Sequence, residues 1–289
     1  MTSPNVDPLP HGHLVEAYAP AQIAHKVLDV GVSKANLPAS STIALAVLAG
    51  AFIAMGAAFS TITTTGSTIG FGLTRVVGGV SFCLGLILVV IAGAELFTGN
   101  NLVAMAWATR AISTRHLVRN WLIVYVGNLV GAIGTALLVL WTGTWRLADF
   151  AVGQNALRIA LMKCEIGWTD AFFRGVMCNA LVCLAVWLAH AGRSTTDRTL
   201  AVLWPITAFV ALGFEHCVAN MYFIPLGILL KSNPDLTAGI QGLDALGMAG
   251  FMRNLVPVTL GNIVGGTLLV AGIYWFVYLR PARPRARAS

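Results

Sequence analysis

Gly93-Ala-Glu-Leu-Phe-Thr-Gly-Asn100 and Gly213-Phe-Glu-His-Cys-Val-Ala-Asn220 decide how this chain is read. Both run Gly-x-Glu, with an Asn five residues after the Glu, and they lie 120 positions apart. Each interrupts an apolar run, near 75–108 and 199–230, that is too long for one straight helix. A second echo follows in the same order, Gly127-Asn-Leu-Val-Gly-Ala132 against Gly261-Asn-Ile-Val-Gly-Gly266. Matched echoes in matched order imply an internal duplication of three spans. Three is odd, so the second copy must enter a membrane inverted relative to the first. Inverted repeats with interrupted helices are transporter and channel architecture. Broken backbone at membrane depth leaves N–H and C=O groups that survive only against protein or a water-lined route. The breaks therefore mark a pathway.

Composition supports a lipid-solvated fold. Of 289 residues, 57% are hydrophobic and only 10% charged, where a soluble domain carries roughly a quarter. A crossing needs about 20 apolar residues. Six runs meet that length, near 41–64, 75–108, 118–141, 171–190, 199–230 and 254–279. The expected fold is an all-α integral membrane protein with six spans in an inverted 3+3 repeat, the second and fifth broken. Its divisions are an N-terminal segment over 1–38, a transmembrane domain over 39–280 and a basic tail over 281–289. Within the first, Leu14 to Val30 alternates at helical spacing and suits an amphipathic helix on the membrane face.

Net charge is +7. No basic cluster interleaves with aromatics, which argues against nucleic acid as a partner. With both termini on the cytoplasmic side, alternation puts eleven Lys and Arg inside and seven outside, including Arg75, Arg146, Lys163 and Arg174. The tail Arg280-Pro-Ala-Arg-Pro-Arg-Ala-Arg287 suits an anchor on anionic lipid. The first 38 residues have no apolar core of a signal peptide. Cys83, Cys164, Cys178, Cys183 and Cys217 form neither a CxxC pair nor a zinc spacing. They read as small apolar residues, and no metal or other cofactor is expected.

Glu95 and Glu215 sit beside the breaks and would repel an anion if exposed. They are expected to brace the structure, accepting hydrogen bonds from freed backbone amides or from the other repeat. Half-helices starting at the breaks would present weakly positive ends to a small anion. His216 is the only histidine in the interior of a span, His190 standing at the end of the fourth. A buried histidine is ordinarily a satisfied core residue, but an ionisable group in a helix break is a functional candidate. Imidazole is the side chain that ordinarily titrates near neutral pH, which suits stabilising an anion or handing it a proton. Lys163, in the connector before the fourth span, reads from sequence as a solvated loop lysine.

These stretches resemble the formate/nitrite transporter family. The similarity rests on Gly93-Ala-Glu-Leu-Phe-Thr98, Gly213-Phe-Glu-His-Cys-Val-Ala-Asn-Met221 and Asn254-Leu-Val-Pro-Val-Thr-Leu-Gly-Asn-Ile-Val-Gly-Gly266. Phe82-Cys-Leu-Gly-Leu86 and Asn179-Ala-Leu-Val-Cys-Leu-Ala-Val-Trp187 extend it, so that it covers about 20–280. The resemblance implies an aquaporin-like protomer with its own pore, assembled as a homo-pentamer in a bacterial cytoplasmic membrane. It further implies that Thr98 faces His216, that Asn179 lines the pore, and that Lys163 draws anions into the outer vestibule. Constriction positions match Phe82, Leu86, Leu96, Val182 and Phe209. The substrate pathway would thus comprise His216, Thr98, Asn179, Lys163 and Glu215. Small monovalent anions and protons are the implied cargo, formate first, with nitrite and hydrosulfide on the same framework. Leu48-Ala-Gly-Ala-Phe-Ile-Ala-Met-Gly56 and Gly78-Gly-Val-Ser-Phe-Cys-Leu-Gly-Leu86 look most like the formate branch.

An enzyme would need paired acids, a metal-binding HExxH or a nucleophile with its base. None is present, so no enzymatic activity is expected. A water or glycerol channel would show Asn-Pro-Ala at both breaks, where this chain has Thr-Gly-Asn and Val-Ala-Asn.

Overall fold

The computed structural model describes residues 16–280. The first fifteen residues of the N-terminal segment, with the start of its proposed amphipathic stretch, and the basic tail from Pro281 onward lie outside the described residues. Among those described, the secondary structure is helical throughout.

The first helix, α1, covers Pro20–Asn36, six residues downstream of the stretch expected from alternation. Proline explains the shift. Pro20 occupies the first helical position, where its missing N–H costs nothing, and Pro38 disfavours helical backbone at Leu37. Rather than lying on a membrane face alone, α1 buries Ile23, Ala24, Val27, Gly31 and Ala35 against the bundle.

Helices α2 (Ala39–Thr64), α3 (Phe71–Leu88), α4 (Ala104–Ala108) and α5 (Thr114–Thr142) complete the first copy. Ser113 caps the start of α5, accepting from the His116 amide, and left-handed Gly143 ends it. The second copy is α6 (Ala151–Glu165), α7 (Trp168–Ala191), α8 (Thr195–Ala211) and α9 (Cys217–Leu230). After short α10 (Pro234–Thr237) it closes with α11 (Met248–Val264), which runs on as π-helix through Gly265–Gly272 and Trp275–Leu279. Among the described residues, five helices are long and apolar enough to cross a membrane unaided: Ala39–Thr64, Phe71–Gly93, Thr114–Thr142, Trp168–Ala191 and Met248–Leu279. The remaining crossing is assembled from α8 and α9 around the second break.

The outer connector thus holds a helix, α6, where the sequence suggested only a loop. It is the counterpart of α1. The repeated unit is therefore four helices long, a short amphipathic one followed by three that cross. Inversion puts α1 on one face, the N-side, and α6 on the opposite, far side. Tyr18 joins Tyr274, Trp275 and Tyr278 in one apolar cluster, so both ends of the described chain meet on the N-side.

Two crossings of equal geometry fix the repeats. A Cβ at Gly131 would lie 1.9 Å from the Val47 carbonyl oxygen, and one at Gly265 would lie 2.0 Å from that of Val176. No larger residue fits these contacts between α2 and α5 and between α7 and α11. Small residues that let helix backbones touch are the usual membrane solution, because lipid supplies no hydrophobic push between helices.

Candidate functional site

The breaks are built alike. Helix α3 widens into a π turn, Val89–Gly93, and stops where Gly93 takes φ 83°. Helix α8 stops where Gly213 takes φ 73°. Both glycines sit in the left-handed region that side chains disfavour. The chain then returns a hydrogen bond to its helix, from the Ala94 amide to Val89 O and from the Phe214 amide to Phe209 O, each 3.0 Å. Backbone freed at membrane depth must find partners. The Glu95 amide finds Leu45 O at 3.2 Å, and the Glu215 amide finds Arg174 O at 3.3 Å.

One asparagine per copy does the rest. Asn128 accepts from the Phe97 amide at 2.8 Å and donates to Ala46 O and Glu95 O at 2.8 and 2.9 Å. Asn262 accepts from the Cys217 amide at 2.9 Å and donates to Gly175 O and Glu215 O at 2.8 and 2.9 Å. Both side chains are wholly buried. These are the asparagines of the Gly-Asn echo; sequence marked them as repeated without showing what they hold.

Glu95 and Glu215 are tied down, but not by freed amides or by the opposite repeat. The break amides are already occupied by the asparagines, so each carboxylate takes a lysine of its own copy. Glu95 Oε1 receives Lys34 Nζ at 2.6 Å, and Glu215 Oε1 receives Lys163 Nζ at 2.8 Å. Asparagines close each ring. Asn100 donates to Glu95 Oε2 and to Asn120 Oδ1, and Asn120 donates to Lys34 O. Asn220 donates to Glu215 Oε2 and to Asn254 Oδ1, and Asn254 donates to Lys163 O. Charge-assisted bonds of this length are the strong ones. Each negative charge is compensated where it sits, which removes its repulsion of an anion. Lys34 was missed from sequence because a lysine on a surface helix looks solvated; its offset from Lys163 is the offset of α1 from α6, which could not be read while α6 looked like a loop.

The copies differ at the centre. His216 stands at the N-cap of α9, its Nδ1 accepting the Ala219 amide at 3.0 Å. A nitrogen that accepts an N–H carries no proton, so the neutral ring holds its proton on Nε2. That atom lies 2.9 Å from Thr98 Oγ1, across the molecule from the first break. With Nε2–H donating to it, the Thr98 hydroxyl keeps its own proton to offer elsewhere. The first copy puts Leu96 where the second has His216, and the second puts Val218 where the first has Thr98. The half-helices differ too. Only the second break opens a true α-helix; the first opens into 3-10 turns over Gly99–Val103 and five residues of α4. The positive helix end expected at both breaks therefore belongs to α9 alone.

Apolar groups surround the pair. Phe82 and Phe209 meet edge to face with centroids 5.5 Å apart, and Phe209 stacks on His216 at 5.9 Å. Leu86, Leu96 and Val182 are likewise buried. Leu86 and Leu96 floor an N-side cavity of ≈ 490 Å³ whose wall includes Lys34 and Glu95. Asn179 is buried and donates to Asn262 O at 2.6 Å. Its counterpart is Gly50, where a Cβ would strike Asn128 O, so a polar side chain fits in one copy only. Lys163 is only 14% exposed in its pair with Glu215, and lies 5.3 Å from the Phe223 ring centre. It is not the solvated loop lysine that the sequence suggested.

A family model described as "Formate/nitrite transporter" matches residues 21–276. Among known proteins, the chain is similar to "Formate channel FocA" of Escherichia coli (strain K12), 41% identical over 269 residues that cover 90% of this chain and 94% of that one. It is 39% identical to "Formate channel FocA" of Haemophilus influenzae, over 88% of this chain and 92% of the other. A solved structure described as "Pentameric formate channel with formate bound" superposes with a TM-score of 0.79 at 42% identity, covering 84% of this chain and 98% of its own.

Proposed function

Because the chain belongs to the formate/nitrite transporter family, we propose that it conducts formate across the bacterial cytoplasmic membrane through a pore within each protomer. The observation that carries this reading is the Thr98–His216 pair, a polar centre closed on both sides by apolar residues. Anions gather in a far-side vestibule beside the Lys163–Glu215 pair, where the lysine keeps N–H groups that Glu215 does not use. They pass Phe82 and Phe209, meet the Thr98 hydroxyl and the start of α9, and leave past Leu86, Leu96 and Val182 into the N-side vestibule. An apolar constriction resists a bare anion, since an unpaired charge is costly to desolvate. The Thr98 hydroxyl, held by His216 Nε2–H, donates to the carboxylate there, and a proton that arrives with the anion from solution lets the neutral acid cross at far lower cost. Asn179 holds the break in register from beside the path.

Five protomers ring together, consistent with large apolar side chains such as Leu122, Val126 and Val130 standing exposed along α5. The N-side is the cytoplasmic one, which the excess of Lys and Arg on that face supports. Proteoliposomes test the reading: formate, nitrite and hydrosulfide fluxes are each measured at two pH values. Formate is expected to move fastest, and flux no faster than in empty liposomes would end the proposal. Cross-linking of the purified protein is expected to ladder to five.

A further inference from the structure

We propose that Arg198 is an anion-docking residue of the N-side vestibule, holding a small carboxylate just before the Leu86–Leu96 constriction. This rests on the anion-channel reading above and adds a residue and a side to it. The cavity there is lined by Lys26, Lys34, His190 and Arg198 above the two leucines. Its cations are not equally committed. Lys34 is neutralised by Glu95. Lys26 Nζ donates to His190 O at 3.2 Å and sits 4.4 Å above the Tyr18 ring centre. Arg198 has no carboxylate partner, and its Nε is buried without an acceptor among the described residues.

The inverted copy shows what a satisfied arginine looks like in this fold. Arg75, near the start of α3, donates from Nε to Ala211 O at 3.1 Å and from Nη2 to Val210 O, closing the end of α8 at the second break. Arg198 stands near the start of α8, the counterpart helix, on a cavity that also touches Val90 and Gly93 at the end of α3. There it makes no such bonds. Buried donors are nearly always paired, and a guanidinium fork matches a carboxylate with two parallel N–H bonds. An arginine aimed into a vestibule with its fork unused is a docking point for the carboxylate that arrives. The cavity is far larger than formate, so walls alone would not hold the ion at the constriction. Arg198 supplies the residence.

The test uses the full-length channel in liposomes of defined orientation, with formate presented to one face at a time. Arg198→Gln is expected to raise the half-saturating formate concentration about tenfold for entry from the N-side. Maximal flux should stay within about twofold, and entry from the far side should be unchanged. Arg198→Lys keeps charge without the fork and is expected to fall between. Unaltered concentration dependence in both variants would overturn the inference, and so would an equal shift from both faces, which marks general damage. Absence of formate flux in the unsubstituted protein would overturn the channel reading and this inference together.

Discussion

The two repeats agree where they hold the breaks and disagree where they meet. Lys34, Glu95, Asn100 and Asn120 form the same ring as Lys163, Glu215, Asn220 and Asn254, and Asn128 makes the same three bonds as Asn262. At the centre, Leu96 opposes His216 in the correspondence and Thr98 opposes Val218. A duplicated scaffold must satisfy the same freed backbone groups twice, so its asparagines and ion pairs cannot drift apart. One imidazole and one hydroxyl suffice to present a single donor at the centre. A second pair would only add polar groups to desolvate, so the centre is single.

The comparison can be broken at four depths. The largest effect is expected from Asn128→Ala or Asn262→Ala. Each strands one buried amide and one break carbonyl, at about 1–3 kcal/mol apiece where no water reaches, and removes a second bond to a helix carbonyl. Both variants should lose folded protein in detergent melts, and to a similar extent. Tolerance of one but not the other would show that the scaffold is not symmetric.

Next, His216→Phe is expected to lower formate uptake at least tenfold while the protein stays folded, at a cost of about 1 kcal/mol for the lost Nδ1 cap. Thr98→Val should lower it less, because water can replace a hydroxyl more readily than an imidazole. Uptake whose rate and pH dependence survive His216→Phe would remove the histidine from the mechanism. Third, Glu215→Gln should destabilise more than Glu95→Gln. Lys163 is 14% exposed and Lys34 26%, so water solvates an orphaned Lys34 better. Thermal melts of the two variants give the order. The smallest effect is a cap. Ser113 caps α5, whereas α11, its counterpart, begins at Gly247 with no side-chain cap. Ser113→Ala should cost about 1 kcal/mol, measured in denaturant against a Gly247→Ala control that removes no capping bond.

Much of the fold was legible because its signals are local or repeated. Apolar runs of crossing length, the two Gly-x-Glu segments and the Gly-Asn echo each sit within a few residues of sequence. The position of α1 was misread by six residues because Pro20 and Pro38, not the apolar alternation, set its ends. The helix hidden in the outer connector was missed because its apolar residues face the bundle while Arg158 and Lys163 make the stretch look like a loop. The Thr98–His216 contact joins residues 118 positions apart. It came from family resemblance, since nothing in the spacing requires it.

From the residue order alone follow a lipid environment, six crossings, a doubled and inverted plan, and two discontinuities placed to line a route. These depend on hydrophobic length and on self-similarity, both of which a linear string records. Folding in three dimensions settled the rest: which lysine answers which carboxylate, which asparagine occupies each freed amide, which arginine is left without a partner. Those pairings join groups from different helices, and a polar atom in lipid takes whichever partner packing brings within about 3 Å.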